Sequence, residues 1–365
     1  MTSLGHWQPT PPLATLATVG FVDTVGGPTA RRLEFATTGF YAPFTGAAMA
    51  RASEDLGFDV QMFSENHVRV PDAFGEMRDA ARATKRIQLL CGPVNFVTRN
   101  PGVIASAIVP IQILSGGRAV CGVASGDSAV AAVGRAPQRI EALERDLALL
   151  RRYVRGGDVE VGDRSGRLEW ADGLDYAPVP VQMVCSGPRA IAVAARGADR
   201  IGLSVGANPE RIAWALRIIE ASMTAAGRDR DSVRIGAFVP IAVTRDRATG
   251  RAAIRPRVAG WAHMSSFKGH DLSQQPEIMR RVTTKLRDVY DYRFHRPGAP
   301  PDNPNTAVCD EDFGDWFGVG GPPSYITDRL GTLVEMGIDF FSTSLPPGER
   351  ERYAAEVIPA LRSLR

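Results

Sequence analysis

The chain has 365 residues, of which 44% are hydrophobic and 23% are charged, so it is long enough to bury a large core. Its formal net charge of +3 comes from acidic and basic residues that alternate along the sequence, which argues against a nucleic-acid-binding groove. The longest apolar run, Val103 to Leu114, is too short to span a bilayer, and the N-terminus lacks a basic region followed by an apolar stretch. We therefore expect a cytoplasmic globular protein with neither a nucleic-acid partner nor a membrane partner.

Residues 1–33 precede any regular pattern and could form an extra strand or hairpin around Ala14 to Asp23. From residue 34 onward, short apolar runs alternate with stretches whose apolar residues lie three and four positions apart, which is typical of strands alternating with helices. The apolar runs that we predict to be strands are Glu34 to Tyr41, Asp59 to Asn66, Ile87 to Val94, Ala119 to Ser125, Val181 to Cys185, Arg200 to Val205, Val233 to Val243 and Ile338 to Leu345. The predicted helices are Gly46 to Leu56, Asp72 to Thr84, Asn100 to Leu114, Arg139 to Val154, Pro188 to Ala198, Pro209 to Ala226 and Tyr353 to Leu364.

Eight strand–helix units in one chain predict an α/β fold, a single (β/α)₈ barrel covering residues 1–365, rather than an open sheet, which at this size more often splits into lobes. The predicted strands are apolar almost throughout, as expected when both faces of a parallel sheet are covered. Several helix boundaries are also indicated. Asp72 and Asn208 stand where an N-cap is expected, and Gly57, Gly116 and Gly227 follow the ends of predicted helices.

Two stretches interrupt this alternation. Residues 156–177 carry apolar residues around a Gly-Asp-Arg-Ser-Gly turn, so we expect a hairpin inserted before the fifth strand. Residues 261–323 form a longer insertion between the seventh and eighth strands, with a predicted helix near Pro276 to Tyr292 and then a proline-rich run. An insertion at this connection would lie over the barrel mouth and could act as a lid over a substrate. A surface elaboration or a subunit contact is equally compatible with the sequence.

The histidines and cysteines do not show the spacing of a metal site. The residues of the insertion that could line a substrate pocket are Trp261, His263, His270, Tyr290, Tyr292 and His295. No pair of these histidines has the four-residue spacing with a flanking acid that a metal-binding helix shows. Three cysteines lie in apolar runs and Cys309 lies in a polar loop, a pattern that indicates neither a disulfide framework nor a zinc site. We therefore expect no metal.

The segment Cys121 to Gly134 carries the most chemical information. An apolar strand ends at Ala124 and is followed by the small polar turn Ser125 to Ser128. Because Gly126 has no side chain, the backbone N–H groups of this turn can approach a ligand closely, as a phosphate site requires. A carboxylate beside a phosphate would repel it, so we expect Asp127 to orient the loop or a ligand hydroxyl. A Gly-Asp-Ser turn is also a common loop without function.

The same region resembles a known family. The segment SGGRAVCGVASGDSAVAAVGRAPQRIEALERDLALLRRYVRGGDV is similar to one found in coenzyme F420-dependent members of the luciferase-like superfamily, notably methylenetetrahydromethanopterin reductases. Further segments that share the resemblance are AMARASEDLGFDVQMFSENH, KRIQLLCGPVNFVTRNPGVIASAIVPIQILSGGR, PVPVQMVCSGPRAIAVAARGADRIGL and GPPSYITDRLGTLVEMGIDFF. The resemblance covers most of residues 33–210 and the last forty or so residues.

This resemblance implies a bacterial-luciferase-type barrel that binds F420, or alternatively FMN, at the carboxyl ends of its strands. It implies a non-proline cis peptide between Pro93 and Val94 behind the cofactor ring; the alternative is an ordinary trans strand end. The cofactor-binding residues that it implies are Ser64, Pro93, Val94, Ser125, Gly126, Asp127, Ser128, Ser186 and Gly187. Ser186 and Gly187 are also plausible from the sequence alone, because they open a helix whose N-terminus attracts an anion.

The motif Ser64 to His67 follows the second strand, where catalytic groups of such barrels cluster. F420-dependent relatives resemble Ser-Asp-His or Thr-Asp-His at this point, and several FMN-dependent relatives have Glu-His-His. Asn66 matches neither pattern. We take His67 as the candidate for protonating the substrate or binding the cofactor, with Asn66 beside it, since imidazole titrates near neutral pH. A purely structural His67 is the alternative.

A different enzyme class has to be considered because Gly202 to Gly206 fits the G-x-S-x-G motif of serine hydrolases. That motif places the serine on a sharp turn leading directly into a helix. Ser204 instead lies in a predicted strand, and the next helix begins only after Asn208. A hydrolase would also need a histidine after its acid near the C-terminus, whereas the last histidine is His295.

The resemblance and the residues together favour an oxidoreductase that transfers a hydride between F420 and a small organic substrate. An FMN-dependent monooxygenase that uses O₂ is the first alternative. A barrel that binds the cofactor but has lost catalysis is the second, and the unexpected Asn66 motivates it. The resemblance also implies a homodimer.

Overall fold

The computed structural model describes residues 32–267, 272–273, 275–295 and 299–364. The strand or hairpin expected around Ala14 to Asp23 lies outside the described residues, as does His270.

Eight parallel strands close into a barrel, which confirms the predicted (β/α)₈ fold. The strands are β1 (Glu34–Gly39), β2 (Val60–Phe63), β3 (Gln88–Asn95), β4 (Ala119–Ala124), β5 (Val181–Cys185), β6 (Arg200–Leu203), β7 (Arg234–Phe238) and β8 (Phe340–Thr343). Each predicted run overlaps one of these strands, and each strand is hydrogen-bonded to its neighbours in the chain order. Pairing of Glu34 with Phe340 joins β1 to β8 and closes the barrel.

Helices connect the strands on the outside of the barrel. They are α1 (Gly46–Asp55), α2 (Ala73–Ala83), α3 (Pro101–Ser115), α4 (Ser128–Ala132), α5 (Ile140–Tyr153), α6 (Pro188–Gly197), α7 (Pro209–Ala225), α8 (Arg247–His263), α9 (Glu277–Val289), α10 (Pro304–Ala307), α11 (Glu311–Phe317), α12 (Pro323–Glu335), α13 (Glu349–Arg352) and α14 (Ile358–Arg362). The side chains of Asp72 and Asn208 accept hydrogen bonds from the first turns of α2 and α7, as N-caps do. Within the described part of the chain, no helix is long and apolar enough to cross a membrane.

The seventh predicted strand is wrong in extent. Val233 to Val243 contains two strands, β7 in the barrel and a separate strand, Ile241–Val243, which pairs in parallel with Val319–Gly321 outside the barrel. Pro240 lies between them and has no N–H to donate to a sheet ladder, so the barrel pairing stops there. This break directs the chain out of the barrel into the insertion.

The insertion begins earlier than the sequence suggested and has a core of its own. Trp261, where we expected it to start, lies within α8. The buried side chains that form this separate core include Ile254, Val258, Met279, Leu286, Phe313 and Phe317, from α8, α9 and α11. Before β5, the strands Val159–Val161 and Arg164–Gly166 form an antiparallel hairpin within the predicted segment.

The barrel interior is apolar in the middle and polar at the amino ends of the strands. Its buried apolar side chains are Ala36, Val60, Met62, Leu90, Val120, Val184 and Phe238. At the amino ends, the buried carboxylate of Glu34 pairs with Arg200 at 2.7 Å and with Arg234 at 2.9 Å. These buried ion pairs lie at the amino ends of the strands, opposite the carboxyl ends at which the ligands of such barrels bind.

Candidate active site

A cavity of about 1130 Å³ lies at the carboxyl ends of the barrel strands. The strand-end residues that line it include Gly39, Ser64, Asn95, Ala124, Cys185, Ser204, Phe238 and Ser344. The insertion also lines it, with Trp261, Met264, Phe267, Tyr290, Tyr292 and His295. This volume exceeds the roughly 300–1,000 Å³ usual for small-ligand sites, so the cavity has room for a large ligand and a second small molecule.

Most of the residues singled out in the sequence meet in this cavity. Those that line it are Ser64, Asn66, Pro93, Ser125, Gly126, Asp127, Ser128, Ser186 and Gly187. His67 does not line it, because its side chain is exposed on the loop after β2. Val94 is fully buried and pairs with Val123 of β4, so only its neighbours reach the cavity. His263 is also buried and lies behind the cavity wall.

The cis peptide differs from the one implied by the resemblance. It joins Gly92 to Pro93 rather than Pro93 to Val94. Cis bonds in proteins are found almost entirely before proline, because its tertiary amide lowers the preference for trans. Gly92 has a φ of 96°, and an added Cβ would lie 2.8 Å from the carbonyl oxygen of Gly122, so glycine is required next to this bond.

The turn after β4 is built around Gly126. Its φ is 101°, and a Cβ added there would collide with the side chain of Val130 in the following helix. Asn66 holds the next part of the turn, because its Nδ2 donates to Ser128 Oγ at 2.9 Å. Since Ser128 Oγ accepts this bond, its own hydrogen remains available for a ligand. Asn66 therefore has a positioning contact that the sequence did not indicate.

Asp127 connects this turn to the insertion. Tyr292 Oη donates to Asp127 Oδ1 at 2.7 Å, and His263 Nε2 lies 3.4 Å from the same oxygen. Burial alone would raise the pKa of Asp127, but the hydrogen bonds from His263 and Tyr292 and the electrostatic interaction with His295 outweigh it, so its pKa is lowered. The ionised carboxylate is thus turned toward the insertion rather than toward a ligand.

Ser186 makes a second connection of this kind. Its Oγ donates to the backbone oxygen of Met264 at 2.8 Å, so the hydroxyl is already used by the insertion. Gly187 is the N-cap of α6, whose first backbone N–H groups stay free of helical partners. An anion at this place would be held by backbone groups and not by the Ser186 hydroxyl.

Glu65, inside the Ser64 to His67 motif, and Arg69, two residues after it, have functional geometry that the sequence analysis missed. The Glu65 side chain is 6% exposed, and its Oε1 pairs with Arg99 Nε at 3.3 Å. Its Oε2 is buried and has no hydrogen-bond partner among the residues that the structure describes. Arg69 donates to the backbone oxygen of Tyr292 at 2.6 Å and to that of His295. A single sequence gives no signal for the contacts of Arg69, whose partners lie more than 200 positions away, or for the burial of Glu65.

All four cysteines are buried and free, and none is a candidate nucleophile by geometry. Cys185 lines the cavity, but burial raises the pKa of its thiol to about 12, which keeps it protonated. The part of the chain that the structure describes contains no group of three or more His, Cys, Asp or Glu residues placed to hold a metal ion.

Removing the Tyr292 hydroxyl should destabilise the protein. The Tyr292→Phe variant loses a hydrogen bond to a charged, half-buried acceptor, and hydrogen bonds to charged groups contribute about 1.5–3 kcal/mol. We expect a lower melting temperature by calorimetry. Tyr176→Phe is the matched control, because the Tyr176 hydroxyl is buried and has no hydrogen-bond partner in the described part of the chain. Equal melting temperatures for the two variants would show that the contact of Tyr292 with Asp127 contributes nothing.

Comparison with known proteins agrees with this architecture. The chain is 24% identical over 323 residues to 5,10-methylenetetrahydromethanopterin reductase of Archaeoglobus fulgidus, covering 86% of this chain and 94% of the relative. It is 25% identical over 335 residues to F420-dependent glucose-6-phosphate dehydrogenase of Amycolatopsis mediterranei, covering 86% and 92%. Among solved structures, the coenzyme F420-dependent tetrahydromethanopterin reductase of Methanopyrus kandleri superposes with a TM-score of 0.70 at 21% identity, covering 91% of this chain and 100% of that one.

The family itself is shown by a wider match. The model of the family described as luciferase-like monooxygenase matches residues 41–339, a range that contains β2 to β7, the turn after β4 and the whole insertion. Because this match covers well over half of the chain, the protein belongs to the luciferase-like monooxygenase family of enzymes.

Proposed function

We propose that this protein is an F420-dependent oxidoreductase that transfers a hydride between C5 of the deazaflavin ring and a small organic substrate. The observation that carries the proposal is the large cavity at the strand ends, which is bounded by the Ser125 to Ser128 turn, the Ser186–Gly187 corner and the insertion. Relatives that align with 86% of the chain include an F420-dependent dehydrogenase. The fold places ligands at this end of a barrel.

The residues present fit such a cofactor. Gly126 keeps the turn after β4 free of side-chain bulk, and the Ser128 hydroxyl is oriented by Asn66 with its hydrogen free. The N-terminus of α6 at Gly187 is suited to the phosphate of the cofactor tail. The unpartnered Oε2 of Glu65 could accept a hydrogen bond from a donor on the cofactor. We therefore assign cofactor binding to these groups, with Ser64 and Pro93 lining the same cavity.

When bound, the deazaflavin supplies the hydride chemistry, and the protein supplies position and exclusion of water. Arg69 and Asp127 tie the Tyr290 to His295 segment to the barrel, so the insertion acts as a lid over the substrate. His67 is exposed and outside the cavity wall, so we place the polar contact with the substrate elsewhere. We also propose, from the family resemblance, a homodimer in the cytoplasm.

A monooxygenase that uses FMN and O₂ is the second candidate, since the family is described by that activity. Both cofactors carry a flat tricyclic ring and a phosphate, and the cavity does not distinguish them by volume. The difference lies in oxygen chemistry, because reduced F420 scarcely reacts with O₂ while reduced FMN does.

Cofactor titration tests the proposal directly. We expect purified protein to bind F420 saturably, as measured by fluorescence, and to show no oxygen uptake when supplied with the reduced cofactor. Weak F420 binding together with FMNH₂-dependent oxygen uptake would favour the monooxygenase. Binding of a cofactor that no substrate ever reduces or reoxidises would favour a barrel without catalysis.

A further inference from the structure

One imidazole of the insertion lines the cavity with a nitrogen left free. His295 lies directly after the short helix Tyr292–Phe294, and Arg69 holds its backbone oxygen. Its Nδ1 is hydrogen-bonded to Tyr290 Oη. Its Nε2 makes no hydrogen bond to any residue that the structure describes, although the ring lines the cavity. Such a ring is held in place from one side and presents its other nitrogen to a ligand.

Tyr290 decides which nitrogen of His295 carries the proton. Its ring stacks on that of His263 with centroids 3.5 Å apart and planes 2° from parallel, which holds the hydroxyl in place. Burial and the neighbouring charge of Asp127 raise the pKa of Tyr290, so the hydroxyl keeps its proton. Its hydrogen-bond partner within the described ranges is Nδ1, to which it must therefore donate. A neutral His295 then carries its hydrogen on Nε2.

The neutral form of His295 is the relevant one near pH 7. Burial lowers its pKa, and Arg69 and His263 act in the same direction against the opposing effect of Asp127. Below that lowered pKa the ring gains a second proton on Nδ1. Nδ1–H then donates to Tyr290 Oη, and the hydrogen on Nε2 stays in place. In both states the cavity therefore meets a donor and not an acceptor.

The other polar groups beside His295 are engaged. The Tyr292 hydroxyl donates a hydrogen bond to Asp127, and His263 Nε2 lies 3.4 Å from the same carboxylate oxygen. Arg69 donates to two backbone oxygens. Apolar side chains of the insertion, those of Trp261, Met264 and Phe267, line the same cavity. A ligand that fills this part of the cavity would meet the N–H donor of His295 and apolar side chains of the insertion.

We propose that His295 binds the substrate through Nε2–H and thereby selects carbonyl compounds whose oxygen is attached to an apolar body. The proposal rests on the proposed function, because the oxygen would lie on the carbon that exchanges hydride with the cofactor. His295 is then a binding residue that polarises this oxygen, and Tyr290 is a positioning residue that sets its tautomer. This role takes the place of the one that the sequence suggested for His67.

The first test measures the tautomer without any substrate. In ¹⁵N-histidine-labelled protein, with the His295 signal assigned by its loss in His295→Gln, long-range ¹H–¹⁵N spectra should show the Nε2–H form at pH 7.5. Tyr290→Phe should shift His295 toward a mixture of tautomers. A wild-type Nδ1–H form would overturn the assignment, as would a signal that the Tyr290→Phe variant leaves unchanged.

The second test compares two probes of equal shape on protein loaded with F420. Acetophenone has a carbonyl oxygen, and 2-phenylpropene has a methylene group in its place. By calorimetric titration we expect acetophenone to bind roughly 3- to 10-fold more tightly, the effect of one hydrogen bond. His295→Leu should remove this preference, and His295→Gln, whose amide N–H can reach similarly, should restore part of it.

The outcomes separate this inference from the proposed function. Equal binding of the two probes by the wild type, a preference that persists in His295→Leu, or no binding of either probe would each overturn the role of His295. If His295→Leu does not fold, the tautomer spectra and the His295→Gln titration decide the question. If the wild type does not bind F420, the proposed function is contradicted instead. The two probes would then be titrated into protein without cofactor to test His295.

Discussion

The Gly126→Ala variant should bind F420 at least about tenfold more weakly than the wild type while retaining the barrel. The φ of 101° is unfavourable for alanine, and the added Cβ would collide with Val130. Strain of this kind costs about 1–3 kcal/mol, which the turn can relieve by moving. A loss of 1.4 kcal/mol in binding corresponds to about a tenfold change in Kd. Fluorescence titration with F420 measures it.

Gly134 offers a matched control for this variant. It has a positive φ of 69° and lies in the same connection between β4 and α5, yet an added Cβ would meet nothing within 4 Å. Gly134 is not part of the cavity wall. Gly134→Ala should therefore lower the melting temperature slightly and leave F420 affinity within about twofold of the wild type. Equal losses of affinity in the two variants would mean that the Ser125 to Ser128 turn does not hold the cofactor.

The second large effect is expected from Arg69→Ala. The guanidinium of Arg69 holds two backbone oxygens, those of Tyr292 and His295, and hydrogen bonds to charged groups contribute about 1.5–3 kcal/mol each. Its removal should release the 290–295 segment from the barrel mouth. We expect faster amide hydrogen exchange in this segment and, once a substrate is known, at least a tenfold higher KM. F420 affinity should change much less, because Arg69 holds the lid rather than the turn after β4.

Arg293→Ala serves as the control, since the Arg293 side chain is 84% exposed and pairs with Asp291 on the same segment. It should leave both KM and hydrogen exchange of residues 290–295 close to the wild-type values. Unchanged exchange in Arg69→Ala would contradict the idea that this arginine holds the lid. A large fall in F420 affinity would contradict the assignment of Arg69 to the lid rather than to the cofactor.

His67 and His295 differ in what determines whether their side chains reach the cavity. A histidine just after β2 is a reasonable candidate, because the strand ends of a barrel face the ligand. Whether a loop side chain points inward, however, depends on local backbone conformation, and here Asn66 turns inward to Ser128 while His67 faces solvent. From the sequence, His295 could be predicted only as one of several residues of the insertion that could line a substrate pocket. Its role depends on packing against Tyr290 and on Arg69, which lies 226 positions away in the chain.

The barrel, its eight strands, the hairpin segment and the turn at Gly126 could be predicted from the sequence, because apolar periodicity, helix caps and glycine act over a few neighbouring residues. The exit of the chain at Pro240 could have been predicted too, since proline ends a sheet ladder locally. The contacts between the insertion and the strand ends could be seen only in the tertiary structure. Contacts such as Tyr292 with Asp127 join residues 165 positions apart, and their energy depends on burial and orientation that no local pattern encodes.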